Sequence, residues 1–171
     1  MVVWVIGLAG SGKTTVAKML CDAFWDLKKP VVLLDGDNVR DVFGNDLGYT
    51  KRDRLINASR IKSLCHLLDQ QKINVVCAIL SISQADRNWC RANLNNYKEI
   101  YLDVSVDLIE ARGTRDIYRQ YKDGETENIV GCDIEFEAPE RPDFIIENKN
   151  SIHDLVNQTN SIAKIILSEN D

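Results

Sequence analysis

Apolar residues along this chain fall into two kinds of run. Val2 to Ile6, Val31 to Leu34, Ile73 to Leu80, Glu99 to Val104 and Asp143 to Ile146 are short, rich in β-branched residues and largely apolar on consecutive positions, which predicts strands buried on both faces. Between them the apolar positions recur every three or four residues. Thr14 to Lys29 carries Val16, Leu20, Ala23, Phe24 and Leu27 on one stripe, and Lys51 to Lys72 carries Leu55, Ile61, Leu64, Cys65 and Leu68. Gln84 to Leu94, Val106 to Arg112 and Ile152 to Leu167 predict three further helices. Alternating strands and helices predict an α/β fold of three layers, α/β/α, around a five-stranded parallel sheet.

The alternation breaks between Gly113 and Pro142. Arg115, Arg119 and Lys122 are followed there by Asp123, Glu125, Glu127, Asp133, Glu135 and Glu137, with glycines at 113, 124 and 131. So charged a stretch is expected to lie outside the core, as a mobile lid over residues 113–142 that closes on phosphates and excludes water.

Composition narrows the partners. A chain of 171 residues with 44% apolar content suits one domain over 1–171, and its net charge of −5 argues against a broad nucleic-acid footprint, so small acceptors are favoured. No run approaches the length of a membrane span and no targeting segment is visible, so a cytoplasmic protein without membrane contact is expected. Cys21, Cys65, Cys77, Cys90 and Cys132 lack C-x-x-C spacing and read as small hydrophobes, while His66 and His153 sit in helical segments without a partner motif.

One strand-to-helix junction carries chemistry. Gly7-Leu8-Ala9-Gly10-Ser11-Gly12-Lys13-Thr14 fits the phosphate-binding pattern G-x-x-x-x-G-K-[ST], and it stands between the first predicted strand and the first predicted helix. That context gives the pattern its mechanism, because loop amides and a helix N-terminus then face the same anion. Glycines allow the backbone to wrap the phosphates, Lys13 reaches the β- and γ-phosphates, and the Thr14 hydroxyl supplies a hard oxygen to Mg²⁺. Binding of ATP with Mg²⁺ is expected.

A second cluster, Asp35-Gly36-Asp37-Asn38-Val39-Arg40, ends the second predicted strand, where ligands of open parallel sheets bind. Asp37 there could accept a proton from an attacking hydroxyl, hold Mg²⁺ through water, or cap a helix. Arg40 suits an acceptor phosphate.

Leu34 to Arg40, Asp46 to Asn57 (DLGYTKRDRLIN) and Glu137 to Asn148 (EAPERPDFIIEN), taken with the P-loop, resemble the adenylyl-sulfate kinase family across almost the whole chain. The resemblance implies a P-loop NTPase fold of the nucleoside-monophosphate-kinase type and a homodimer. It also implies transfer of the ATP γ-phosphoryl group to the ribose 3′-hydroxyl of a nucleotide. Position by position it places Asp37 at the reacting hydroxyl, Arg40, Arg54 and Asn57 on the acceptor, Tyr49 against the acceptor base and Arg112 near the donor base. Leu80 and Ser81 match the family's Ile-Ser at the end of the third strand, and Ser81 reads as an acceptor contact because no base neighbours it in the sequence.

Three departures all touch the acceptor side. Ile79-Leu80-Ser81-Ile82-Ser83-Gln84 stands where the family has Phe-Ile-Ser-Pro-Tyr-Arg, and Gly113-Thr114-Arg115-Asp116 replaces Asp-Pro-Lys-Gly, leaving Arg115 as the substitute cation. Ile129-Val130-Gly131 replaces Phe-Thr-Gly, so one aromatic wall of the base site becomes aliphatic. With these changes the compact chain resembles the branch of the family that phosphorylates cytidine diphosphoramidate for capsule decoration, which implies that acceptor, with adenylyl sulfate as the alternative. A nucleotide-dependent binding switch is the alternative of another class. Its guanine-reading N-K-x-D would fall on Asn148-Lys149-Asn150-Ser151, which lacks the Asp.

Overall fold

The computed structural model describes residues 1–149 and 151–169. Asn150 of the N-K-x-D comparison lies outside the described residues. Five parallel strands, β1 (Val2–Ile6), β2 (Val31–Asp35), β3 (Asn74–Ile79), β4 (Tyr97–Leu102) and β5 (Phe144–Ile146), form one sheet in the order β2-β3-β1-β4-β5. The helices are α1 (Lys13–Asp26), α2 (Gly36–Val42), α3 (Lys51–Gln70), α4 (Gln84–Asn93), α5 (Val106–Ala111), α6 (Ile117–Lys122) and α7 (Ile152–Ser168).

Continuous apolar strands make sense once both faces are covered. Val3 and Val5 of β1, with Val76, Ala78, Ile100 and Leu102, pack under α1 and α7. Val2, Trp4 and Ile6 point the other way, with Val75, Cys77 and Ile79, toward α3 and α4. Successive strand residues face opposite sides, so β1 is buried along its whole length. Helix ends follow local capping: Thr50 accepts from the Asp53 amide at the start of α3, Ser83 from Asp86 at α4, and Ser151 forms a capping box with Asp154 at α7.

The structure corrects the sequence reading in three places. Asp37 is not a helix cap: Asp35 caps α2, accepting from the Asp37 amide at 3.0 Å, which leaves the Asp37 carboxylate exposed. Strand β4 begins at Tyr97, which pairs with Val2 of β1 and packs its ring edge-on against Trp4, 5.7 Å between centroids. Residues 113–142 are not excluded from the core either. They contain α6, and Tyr118, Ile129, Val130 and Ile134 are buried in a third apolar cluster with Leu8, Ile82, Val104 and Ile109. Apolar residues scattered among charges gather on one side once the segment folds back over the P-loop.

Four of the expected small-hydrophobe cysteines are buried, whereas Cys132 is exposed. Cys65 and Cys77 bring their sulfurs to 3.3 Å, and burial pushes the Cys77 thiol well up. His66 packs edge-on against Trp89. No helix among the described residues is long and apolar enough to cross a membrane.

Candidate functional site

Strand β1 delivers the P-loop to the carboxyl edge of the sheet, and α1 leaves it with Gly12 as N-cap. Gly10 and Gly12 take φ values of +79° and +102°, a region that L side chains rarely adopt. A Cβ on Gly10 would also come within 2.7 Å of Ile109. Leu8 and Ser11 are buried beneath the loop, where Asn148 Nδ2 donates to the Ser11 carbonyl at 2.9 Å. Gly7 packs against Leu102, while Ala9, Gly10, Gly12, Lys13 and Thr14 line the cleft above.

Lys13 Nζ donates to the Leu8 carbonyl at 2.7 Å, folding the cation back over its own loop. Burial lowers its pKa to about 8, against the opposing pull of Asp35 and Asp37 and with a further push from Arg115. The Thr14 hydroxyl donates to Asp35 Oδ2 at 2.9 Å. Asp35 is the functional candidate that the sequence reading left out. A signal was available, since the Asp-Gly-Asp run puts two carboxylates at the carboxyl end of one strand. Thr14 and Asp35 present the hard oxygens that Mg²⁺ prefers. Among the described residues there is no group of three acidic, His or Cys side chains that could hold a metal ion. Thr14 and Asp35 are the residues that would hold a magnesium ion here, which would offset the charge of the phosphates.

The cleft has a volume of about 610 Å³ and continues from the P-loop past Asp37 to Arg40, Tyr49, Arg54 and Asn57. Arg54 and Asn57 lie one turn apart on α3 and so share a face. Tyr49 is 55% exposed, and the guanidinium carbons of Arg40 and Arg54 stand 4.8 Å and 5.3 Å from its ring centre. Both arginines are already engaged with backbone. Arg40 Nη1 donates to the carbonyls of Leu47 (3.3 Å) and Gly48 (2.7 Å), and Arg54 donates to those of Tyr49 and Asn128, both at 2.8 Å. Asn57 Nδ2 donates to the Gly36 carbonyl at 3.1 Å, and its Oδ1 is buried without a hydrogen-bond partner. Leu80 and Ser81 form part of the wall from the end of β3, and Arg115 and Ile129 contribute from the 113–142 segment.

The structure thus brings together every predicted acceptor residue and most of the P-loop. Arg112 is the exception: its guanidinium donates to the Asn148 carbonyl at 2.7 Å and it does not line this cleft. Two further residues were not visible in the sequence. Tyr118, fully buried, donates its hydroxyl to the Ala9 carbonyl at 3.0 Å, pinning α6 to the P-loop, and Arg87 is buried beneath Ser81.

Residues 1–147 match the family described as Adenylylsulphate kinase. The adenylyl-sulfate kinase of Clostridium kluyveri is 32% identical over 160 residues, covering 92% of this chain and 80% of that one. The enzyme of the same name from Vibrio cholerae is 37% identical, over 92% of this chain and 74% of its own. The Mycobacterium tuberculosis APS kinase CysC, solved with AMPPNP and APS, superposes with a TM-score of 0.84 at 26% identity, over 98% and 96% of the two chains. With the parallel sheet, the P-loop and a continuous cleft beside it, these similarities establish a phosphotransferase acting on a hydroxyl group, and the chain belongs to the adenylyl-sulfate kinase family.

Proposed function

We propose that this kinase transfers the γ-phosphoryl group of ATP to the 3′-hydroxyl of a ribose whose 5′ position carries a phosphate-linked anionic group. One observation carries the proposal. A single cleft joins Lys13 and Thr14 to Tyr49, Asn57 and Ser81, so a donor phosphate chain and an acceptor nucleotide can meet in it. The Asp37 carboxylate, exposed between those two ends, takes the hydroxyl proton as the oxygen attacks. Lys13 and Arg115 offset the charge on the transferring group, and Arg40 and Arg54 shape the Tyr49 platform for the base. Bound at Thr14 and Asp35, Mg²⁺ would neutralise phosphate oxygens. The segment around α6, held to Ala9 by Tyr118 and to α3 through Asn128, keeps water from the reacting phosphorus.

Adenylyl sulfate is the acceptor that the relatives support, and it takes precedence over the cytidine compound favoured by the sequence departures. One observation keeps cytidine diphosphoramidate as a second reading. Ile129, 7% exposed, lends an aliphatic edge to the cleft where the family resemblance expects an aromatic ring, and a smaller base needs less stacking surface. A comparison of kcat/KM tests the pair: adenylyl sulfate is expected to be the better substrate, and a higher value for cytidine diphosphoramidate would reverse the assignment. A homodimer is part of the same proposal, and a monomeric mass in sedimentation would remove it.

Lys13 also gives the proposal a pH signature. Its folded pKa, lowered to about 8, means that the cation is lost from the nucleotide-free site as pH rises through that value. A triphosphate restores the charge, so ATP binding is expected to take up a proton at about pH 9 and little at about pH 7. Calorimetry in buffers of different ionisation enthalpy reads this directly. Lys13→Ala should abolish the uptake, and uptake persisting in that variant would assign it to another group. The unfolded lysine keeps its proton to 10.5, so the burial cost of this cation weighs fully on the nucleotide-free fold below about 8 and is relieved as pH rises from there to 10.5.

A further inference from the structure

Arg87 lies in α4 with no exposed surface, and among the described residues its guanidinium bonds only to uncharged partners. Nη1 donates to the Ser81 carbonyl at 2.7 Å and to Ser81 Oγ at 3.2 Å. Nε and Nη2 both reach Gln84 Oε1, at 3.0 Å and 2.7 Å, and Nη2 also donates to the Glu137 carbonyl at 3.2 Å. All the N–H groups of a guanidinium are thereby used. Gln84 Oε1 accepts in addition from the Glu140 amide at 3.3 Å.

The residue under this fork is itself unusual. Ser81 takes a φ of +50°, in the left-handed region, and is 4% exposed at the point where β3 opens into the cleft. A serine persists there only when its surroundings over-determine it. Arg87 does so by gripping both the carbonyl and the hydroxyl. The grip also sets the polarity of the hydroxyl: one lone pair of Oγ receives a charged N–H, so its own proton is free to be donated. Among the described residues no base accepts the Ser81 hydroxyl proton, so the general-base activation of a nucleophilic serine is not provided.

We infer that Arg87 is a positioning residue for the acceptor: it holds Ser81 in its left-handed conformation so that Oγ donates a hydrogen bond to the anionic acceptor, and it ties that seat to the Glu137–Glu140 root of the covering segment. The inference rests on the proposed nucleotide-kinase reading for its ligand, and on the hydrogen bonds above for its mechanism.

The test uses Arg87→Lys, which keeps the charge and loses the fork, alone and combined with Ser81→Ala. Arg87→Lys is expected to raise the acceptor KM about tenfold while the KM for ATP and acceptor-independent ATP hydrolysis stay within about twofold. Ser81→Ala should weaken acceptor binding in the wild-type background and add nothing further in the Arg87→Lys background. Additive effects, or equal losses for both substrates, would overturn the inference by reducing Arg87 to a packing residue. Where Arg87→Lys does not fold, Gln84→Ala loosens the same fork from a half-buried position and should give the same KM split. Hydrogen exchange on the nucleotide-free protein separates this from the kinase reading. Faster exchange at residues 79–84 and 137–140, with 7–14 unchanged, supports the clamp even if no nucleotide acceptor is phosphorylated, and unchanged protection there contradicts it.

Discussion

Replacing Lys13 with alanine is expected to lower kcat by about three orders of magnitude without unfolding the protein. The ammonium belongs to the loop that would hold the β- and γ-phosphates, and it is half-buried in the wall of the cleft against the Leu8 carbonyl. Charge stabilisation in such a site is worth more than in water, and phosphoryl transfer depends on it more than on covalent help from the enzyme. Stability should not fall with activity. In the nucleotide-free site burial disfavours the charged lysine, and its hydrogen bond to the Leu8 carbonyl is the main interaction lost. Steady-state kinetics beside a thermal melt check both halves. A variant with normal kcat would show that the loop binds nucleotide without assisting transfer.

Asp37→Asn should have the next largest effect, a fall in kcat of about two to four orders of magnitude with little change in the KM for ATP. The amide is isosteric but cannot take a proton. The expectation separates Asp37 from its neighbour. Asp35 accepts the Thr14 hydroxyl and caps α2, so Asp35→Asn should raise the magnesium requirement and respond to added Mg²⁺, whereas Asp37→Asn should not. Near-normal kcat in Asp37→Asn, or its recovery at high Mg²⁺, would remove the general-base role and leave a carboxylate acting through magnesium-bound water.

What could be seen in the sequence follows how local each feature is. The P-loop was legible because its strand, turn and helix are consecutive, and the backbone conformations of Gly10 and Gly12 are demands that one residue type meets. Tyr49, Arg54 and Asn57 were legible through the family resemblance, and the cleft brings them together. Their arginine partners were read too simply. Arg40 and Arg54 bond the loop and the covering segment as well as flanking Tyr49, a double use that charge and spacing do not disclose. The lid was misread as noncore because its charges outnumber the apolar residues that bury against Leu8 and Ile82. The least visible contacts span long separations. Tyr118 meets Ala9 across 109 positions, and Arg87, although it also grips nearby Ser81 and Gln84, meets Glu137 across 50.

The central claim, that one cleft passes a phosphoryl group from ATP to a nucleotide ribose, is tested most directly by following the γ-phosphoryl group itself. Incubation of the purified chain with γ-labelled ATP, Mg²⁺ and either adenylyl sulfate or cytidine diphosphoramidate, with NMR of the isolated product, locates the label. One labelled phosphate is expected on the 3′-oxygen of the acceptor, formed in step with ADP. Label recovered only as inorganic phosphate, or on the acceptor's 5′ group, would contradict it.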